Sequence, residues 1–260
     1  MHRKLSYHRR LACRAAGVLF ALGVGQAGAA DMTKTVAAVK PSIVGIGTYQ
    51  KTRSPAIRFV GTGFVTGDGL SVVTNAHVVP ELLDSEKLEQ LGVVTGEADA
   101  ISFRPAELLE RDRQHDLAHL RLSGAPMPAL RLGNSAAAQE GQNLAFTGFP
   151  LGMILGLNRV THRAMLSAIT PVVMPSLSSR GLDARAITQL QRAPFRIFQL
   201  DGTAYPGNSG SPVYDPDTGE VLGVINMVFV KGLKESAITS PSGITYAVPV
   251  SYVQELLRKK

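Results

Sequence analysis

Cysteine is almost absent from this chain of 260 residues, because the only one, Cys13, lies close to the N-terminus. An intrachain disulfide is therefore excluded, and residues 14–260 offer neither a thiol nucleophile nor a cysteine ligand for a metal. Charged residues are also sparse, at 18% against 45% apolar residues, and tryptophan is missing. This balance favours a folded chain with a sizeable core, which burial alone must hold together.

The first 29 residues are typical of a secretory signal peptide. Five basic side chains and no acidic one accompany an apolar stretch over residues 15–25. Small residues follow, so we expect cleavage after Ala29 or Ala30. Export without disulfides favours a bacterial protein that is periplasmic or secreted. The apolar stretch is short for a transmembrane helix, so we expect a membrane location only if the segment is retained as an anchor.

Removal of this segment changes the charge of the chain. The formal net charge of all 260 residues is +7, from 27 basic and 20 acidic side chains. Without the five basic residues of the signal peptide, the net charge is +2. No basic stripe interleaved with aromatic residues remains, and we therefore expect no nucleic-acid partner.

Short apolar runs rich in β-branched residues, separated by Gly, Pro and polar turns, predict an all-β fold. The predicted strands cover residues 42–49, 59–65, 70–74, 117–122, 143–149, 195–200, 221–230 and 244–248. A short helix is predicted within 80–91. A C-terminal helix is predicted over 251–260, capped by Ser251 and with basic residues at its carboxyl end.

Two stretches mark a connection between two β units: the Gly- and Pro-rich residues 124–128 and the Ala- and Gln-rich residues 135–141. We therefore divide the chain into units at 33–138 and 139–260. Residues 171–194 are poor in strand pattern and predict a long loop, with a short helix over 184–191. Loops of this length in compact domains are often functional.

Three segments carry a histidine, an aspartate and a serine in the chain order of one acyl-transfer triad. They are Thr74-Asn75-Ala76-His77-Val78-Val79, His115-Asp116-Leu117-Ala118 and Gly207-Asn208-Ser209-Gly210-Ser211-Pro212. A serine hydroxyl is a poor nucleophile unless an imidazole accepts its proton. His77 is the candidate base because it follows an apolar strand, and functional residues are common where strands end. A purely structural role for His77 is the alternative.

Asp116 opens the predicted strand at 117–122 and is the candidate carboxylate that orients the imidazole. Asp112 is its competitor, but it belongs to a charged run, and such runs are usually solvated. His115 and His119 flank Asp116, which raises the alternative of a metal site. Alternation along a strand would not bring all three side chains to one face, so we expect no metal.

Ser209 is the candidate nucleophile. It lies between Gly207 and Gly210, which allow a tight turn and the close approach of a substrate carbonyl. The backbone N–H groups of Gly207 and Ser209, with Asn208 between them, are candidate donors of an oxyanion hole. The alternative is an ordinary turn, which the other two motifs disfavour.

Together these motifs resemble those of the chymotrypsin-like serine peptidases, most closely the bacterial HtrA/Deg branch. Further similar segments are Gly61-Thr62-Gly63-Phe64, Gly219-Glu220-Val221-Leu222-Gly223-Val224 and Tyr246-Ala247-Val248-Pro249. The resemblance covers about residues 36–257. It implies two six-stranded antiparallel β-barrels with the active site between them and no metal or cofactor. The N-terminal barrel would occupy 33–138, and the C-terminal barrel with the terminal helix 139–260.

Ser211 departs from the HtrA pattern, which has a second glycine there, and resembles the glutamyl endopeptidases instead. That group binds glutamate through a histidine that is missing from residues 224–227, so acidic specificity is disfavoured. The resemblance places Thr203, a neutral residue, at the base of the primary pocket. The candidate pocket residues are Thr203, Ala204, Asn226, Met227, Val228 and Ile244. A shallow apolar pocket predicts a small aliphatic residue, such as Val or Ala, at the P1 position of the substrate.

The sequence therefore predicts an exported serine endopeptidase that acts on proteins or peptides, as a monomer or as a homo-oligomer. Esterase or other acyl-transfer activity would use the same residues. The alternative from a different class is a catalytically weak binding or chaperone-like protein that keeps the barrel fold.

Overall fold

The computed structural model describes residues 31–96, 101–172, 195–227 and 243–259. These residues form two α-helices, α1 (Met32–Val39) and α2 (Val250–Arg258), and twelve strands. The strands are β1 (Ile43–Tyr49), β2 (Ile57–Thr66), β3 (Ser71–Thr74), β4 (Gln90–Thr95), β5 (Ser102–Asp112), β6 (Leu117–Leu122), β7 (Asn143–Gly148), β8 (Val160–Pro171), β9 (Arg196–Asp201), β10 (Pro212–Tyr214), β11 (Val221–Asn226) and β12 (Ile244–Pro249).

The strands close into two antiparallel barrels of six strands each. The first barrel has the order β1-β2-β3-β6-β5-β4, and the second has the order β10-β11-β12-β9-β8-β7. Closure pairs each strand with a neighbour on both sides, so that neither sheet keeps an open edge. The expected all-β fold of two six-stranded barrels with a C-terminal helix is confirmed.

A shared core fixes how the two barrels meet. Each barrel has its own apolar cluster, and a third cluster runs across the junction. The third cluster includes Phe64 and Leu117 of the first barrel, Tyr214 and Val224 of the second, and Leu256 of α2, all of them fully buried. Because this core is continuous, loops that leave the two barrels at the junction keep a defined relative position.

The helix predicted within 80–91 was wrong, since residues 80–89 form turns that lead into β4. The Asp84 side chain accepts from the backbone N–H of Lys87, and the Glu89 side chain accepts from the N–H of Asp84. Such side-chain bonds compete with helical ones. Leu82 and Leu88 are 88% and 78% exposed, so the segment also lacks a buried apolar face.

The C-terminal helix forms, but its predicted cap was wrong. Helix α2 starts at Val250, with Pro249 at the N-cap and no side-chain cap bond. Ser251 is already helical, and its N–H donates to Ser135 Oγ at 3.1 Å. Proline suits the start of a helix because it has no N–H to leave unpaired there.

Part of the chain lies outside the described residues. The loop predicted at 171–194 is described only at 171–172, and the helix predicted at 184–191 is not among the described residues. Residues 1–30, which contain the predicted signal peptide, are also outside them. Within 31–96, 101–172, 195–227 and 243–259, no helix is long and apolar enough to cross a membrane.

Candidate active site

His77 and Asp116 meet at the edge of the first barrel. A 3-10 turn, Ala76–Val78, follows β3 and carries His77. The Nδ1 atom of His77 lies 2.6 Å from Asp116 Oδ2, and the backbone N–H of His77 donates to Asp116 Oδ1 at 2.9 Å. A carboxylate accepts at both oxygens, so the ring proton lies on Nδ1 and the lone pair on Nε2. The His77 side chain is 28% exposed, which leaves the ring accessible.

Asp116 is itself held from both barrels. It has a φ of 54°, in the left-handed region that few residues other than glycine adopt. Its carbonyl accepts from the Ala76 N–H at 3.1 Å and from Asn75 Nδ2 at 3.0 Å. Its Oδ2 also accepts from Nδ2 of Asn226, on β11 of the second barrel, at 2.8 Å. These bonds maintain an uncommon backbone conformation at the position where the carboxylate has to face His77.

Asn226 and Asn75 therefore have roles that sequence reasoning did not assign. Asn226 was grouped with the pocket residues, but it is fully buried and its amide donates to Asp116. Asn75, which precedes the histidine turn, was not singled out at all. Its position two residues before His77 in the motif was the only available signal, and the bond to Asp116 spans 41 positions in the chain.

Asp112, the competing aspartate, pairs with a different histidine. Its Oδ2 lies 2.7 Å from His115 Nδ1, and its Oδ1 accepts from the His115 backbone N–H at 3.1 Å. Burial raises the pKa of Asp112, but the hydrogen bonds from His115 outweigh burial and hold the pKa below its usual value. The His115 ring stacks on Tyr252 of α2, with ring centres 4.1 Å apart. This second histidine–aspartate pair therefore links the β5–β6 turn to the C-terminal helix.

The histidines that flank Asp116 have separate partners. His115 faces Asp112, whereas His119 Nε2 lies 3.1 Å from Ser71 Oγ. Burial, together with the nearby positive charge of Arg121, lowers the pKa of His119. Among the residues that the structure describes, no group of three His, Cys, Asp or Glu side chains could hold a metal.

The loop around Ser209 is held by its carbonyl groups. Every carbonyl from residue 205 to residue 209 accepts a hydrogen bond. These hydrogen bonds, each written from donor to acceptor, are Asn208 N to Tyr205 O at 2.9 Å, Leu151 N to Pro206 O at 2.6 Å, Thr62 Oγ1 to Gly207 O at 2.6 Å, Ser211 N to Asn208 O at 3.0 Å and Thr62 N to Ser209 O at 2.8 Å. The conformation of this loop is therefore determined mainly by groups from other parts of the fold.

Two N–H groups of this loop stay available. The N–H of Asn208 donates to Tyr205 O and that of Gly210 to Ile225 O, whereas those of Gly207 and Ser209 donate to nothing within the described residues. The Pro206 carbonyl faces Leu151, so the Gly207 N–H of the same trans peptide points the opposite way. Two unpaired N–H groups beside a serine can bind a developing negative oxygen.

Glycine is required at position 207. Its φ is 101°, and a Cβ atom there would lie 2.2 Å from the Phe149 carbonyl oxygen. A side chain at this position would therefore force the loop away from residues 149–151.

Gly61 on β2 marks where the serine and histidine loops come together. A Cβ atom at Gly61 would lie 2.8 Å from Val78 Cγ2 and 3.1 Å from the Ser209 carbonyl oxygen. Ser209 and the residue after His77 therefore flank the same glycine. Ser209 is 8% exposed, and within the described residues no hydrogen bond joins its hydroxyl to His77. Such catalytic bonds are often long before a substrate binds.

The predicted pocket residues lie in several settings. Thr203 lies on the loop after β9, and Ile244, which is 44% exposed, starts β12. The Thr245 hydroxyl ties this loop to β12, because it donates to the Gly202 carbonyl and accepts from the Ala204 N–H.

Two of the remaining pocket candidates belong to the second barrel's core or pack against it. Ala204 is 5% exposed and belongs to the apolar cluster of the second barrel, against which Met227 also packs. Val228 lies outside the described residues.

Two closed antiparallel barrels, with a histidine–aspartate pair and a glycine-flanked serine at their junction, define the architecture of the chymotrypsin-like serine peptidases. A family model described as the trypsin-like peptidase domain matches residues 61–224. This match covers more than half of the chain, and the chain therefore belongs to the trypsin-like peptidase family.

The relatives that it resembles are HtrA proteins. It is 27% identical over 199 residues to a probable periplasmic serine endoprotease DegP-like of Halomonas elongata, covering 76% of this chain and 34% of the relative. It is 30% identical over 202 residues to mitochondrial serine protease HTRA2 of Drosophila willistoni, covering 76% of this chain and 38% of the relative. The chain thus spans little more than a third of the length of these relatives.

Solved structures have the same fold. The Rv3671c protease of M. tuberculosis in its active form superimposes with a TM-score of 0.61 at 23% identity, covering 86% of this chain and 83% of that one.

Proposed function

We propose that this chain is a serine endopeptidase whose triad is His77, Asp116 and Ser209. One observation carries the proposal: the turn that bears His77, whose Nδ1 lies 2.6 Å from the Asp116 carboxylate, meets the Ser209 loop at Gly61, and that loop keeps two N–H groups unpaired within the described residues. A base, the group that orients it and an anion site are the parts that acyl transfer from a serine requires.

In the proposed reaction, Nε2 of His77 accepts the hydroxyl proton as Ser209 Oγ attacks the peptide carbonyl. Asp116 keeps the ring in the required tautomer and stabilises the imidazolium. The N–H groups of Gly207 and Ser209 bind the oxyanion, with Asn208 between them in the loop. His77 then gives the proton to the leaving amine, and water releases the acyl group by the reverse sequence.

We further propose that the substrates are exported proteins or peptides, cleaved after a small aliphatic residue. The neutral Thr203 and the apolar Ile244 and Met227 support this preference, together with Val228 at the sequence level. A cleavage profile from a peptide library tests it, and dominance of Arg, Lys or Glu at the P1 position would overturn it. The signal-peptide pattern and the relative named as periplasmic support a periplasmic or secreted location. A homo-oligomer stays part of the proposal, to be tested by light scattering.

A catalytically weak binding or chaperone-like protein is the second candidate. The observation that favours it is the lack, within the described residues, of a hydrogen bond between Ser209 and His77. A protein that holds its site in this state would bind polypeptides but cleave them slowly.

Covalent labelling of Ser209 distinguishes the two. A fluorophosphonate is expected to label the wild-type serine, and Ser209→Ala is expected to lower kcat for casein by about 10⁶-fold. Ser211→Ala is the matched control, because it removes a nearby hydroxyl that is buried and has no hydrogen-bond partner among the described residues. Absence of labelling in the wild-type protein, with casein uncleaved, would favour the second candidate.

A further inference from the structure

We propose that Thr62, on β2 of the first barrel, is a positioning residue that keeps the Gly207 and Ser209 N–H groups directed at the oxyanion. The inference rests on the proposed function and adds to it a residue that makes no contact with the reacting atoms. Its basis is that the loop of the second barrel depends on hydrogen bonds from a strand of the first.

Thr62 uses all of its polar atoms at this junction. Its hydroxyl donates to the Gly207 carbonyl at 2.6 Å and accepts from the Phe149 N–H at 3.1 Å. Its N–H donates to the Ser209 carbonyl at 2.8 Å, and its carbonyl accepts from Thr74 Oγ1 at 2.7 Å. Thr62 is fully buried, so these bonds have no competition from bulk water.

The Thr62 hydroxyl binds the peptide group that joins Gly207 to Asn208. The Gly207 carbonyl belongs to the peptide plane that lies between the two unpaired N–H groups. Glycine has little resistance to backbone rotation, so its conformation has to be fixed from outside. The Asn208 N–H at the other end of this peptide donates to Tyr205 O at 2.9 Å, a bond within the loop itself, so the Thr62 hydroxyl makes the bond that ties the plane to the first barrel. If the Gly207 carbonyl loses this donor, the plane can turn about the remaining bond, and both N–H groups then leave the position at which the oxyanion forms.

The same hydroxyl joins two loops. Phe149 begins the 149–151 turn, and Leu151 in that turn donates to the Pro206 carbonyl at 2.6 Å. Thr62 therefore fixes the Gly207 carbonyl directly. Through its bond to Phe149 it also positions the turn whose Leu151 N–H binds the Pro206 carbonyl. The space is tight, because a Cβ atom at Gly148 would lie 3.0 Å from Thr62 Oγ1. A water molecule has little room to replace the hydroxyl.

Thr62→Val removes the hydroxyl while keeping the shape of the side chain. Misplacement of catalytic groups by about 1 Å costs about 10²-fold in rate. We therefore expect kcat to fall by about 10²-fold while KM stays close to the wild-type value, because the lost interaction acts on the transition state. The rate of fluorophosphonate labelling at Ser209 should fall in parallel. Thr62→Ser keeps the donor and should restore both rates.

Thr66→Val is the matched control. Thr66 lies on the same strand, is 2% exposed, and donates its hydroxyl to the Leu130 carbonyl at 2.9 Å. This variant removes the same group from the same kind of bond, but away from the serine loop. We expect it to lower the melting temperature as Thr62→Val does and to leave kcat unchanged.

The outcomes separate this inference from the proposed function. If the wild-type protein is labelled at Ser209 and Thr62→Val keeps wild-type kcat, the inference is overturned and the endopeptidase stands. If the wild-type protein is not labelled, the proposed function itself fails. Thr62→Ala is measured in parallel as a second variant without the hydroxyl, for the case that Thr62→Val does not fold. Wild-type kcat in either folded variant counts against the inference.

Discussion

Replacement of Asp116 by asparagine changes one oxygen into an NH₂ group, and its neighbours determine which way the new amide turns. The backbone N–H of His77 donates to Oδ1, whereas the His77 ring and the Asn226 amide donate to Oδ2. A backbone N–H cannot become an acceptor, but both side chains can. The amide oxygen therefore stays at the Oδ1 position, and the new NH₂ group faces His77 Nδ1.

This orientation forces the imidazole into the wrong tautomer. To accept from the new amide, Nδ1 of His77 must lose its proton, and the remaining ring proton then lies on Nε2. The ring has no lone pair left for the Ser209 hydroxyl. In a triad with intact geometry, the same substitution costs about 10⁴-fold in kcat, or about 5 kcal/mol of transition-state stabilisation. We expect a loss of that size for Asp116→Asn, with little change in KM.

The assay is steady-state hydrolysis of a fluorogenic peptide by the wild-type protein, Asp116→Asn and Asp112→Asn. The last variant makes the same chemical change in the second histidine–aspartate pair, whose atoms are 2.7 Å apart. We expect it to lower stability but to keep kcat close to the wild-type value. If Asp116→Asn retains more than about a tenth of the wild-type kcat, the tautomer argument fails. If Asp112→Asn shows the larger loss, Asp112 is the orienting carboxylate instead.

Two further predictions concern stability. Gly148→Ala should destabilise the fold by about 1–3 kcal/mol or more, because its Cβ would lie 1.9 Å from Ser211 Oγ. Ser211→Gly removes that oxygen, so the double variant should recover much of the lost unfolding free energy. Urea unfolding of the two single variants and the double variant tests this, and additive losses would contradict it. Burial lowers the pKa of His162, whose ring stacks on Phe146 and whose Nε2 is buried without a hydrogen-bond partner in the described part of the chain. As the pH falls below about 6.5, His162 binds a proton in the unfolded chain but resists it in the folded one, so the wild-type protein loses stability. His162→Phe removes this loss, so it should raise the free energy of unfolding more at about pH 5 than at about pH 8. An equal gain at both pH values would count against this account.

The elements that could be predicted from the sequence are those with a strong local pattern. Strands such as β3, β6 and β7 are short apolar runs between turn residues, and the C-terminal helix has helical spacing. Strand β5 was missed because it is half-exposed, and its charged residues, such as Glu107 and Glu110, hide the apolar alternation. The helix predicted within 80–91 failed for a different reason. Its composition suits a helix, but the side chains of Asp84 and Glu89 accept hydrogen bonds from nearby backbone N–H groups and stabilise turns instead.

The candidate site divides in the same way. His77, Asp116 and Ser209 stand in recognisable local motifs, so they could be named without a structure. Thr62 and Asn226 could not be assigned a role in this way. Their partners, Gly207 and Asp116, lie 145 and 110 positions away in the chain, and such pairs leave no periodic pattern.

The sequence by itself determined the strand-rich fold and the three side chains of the candidate triad, because strand periodicity and tight glycine turns are local properties of the chain. The tertiary structure decided which aspartate faces His77 and which groups hold the serine loop. It also decided that the Gly207 and Ser209 N–H groups stay unpaired within the described residues. These features depend on hydrogen bonds between two separately closed barrels, and such bonds exist only when the shared core has brought the barrels together.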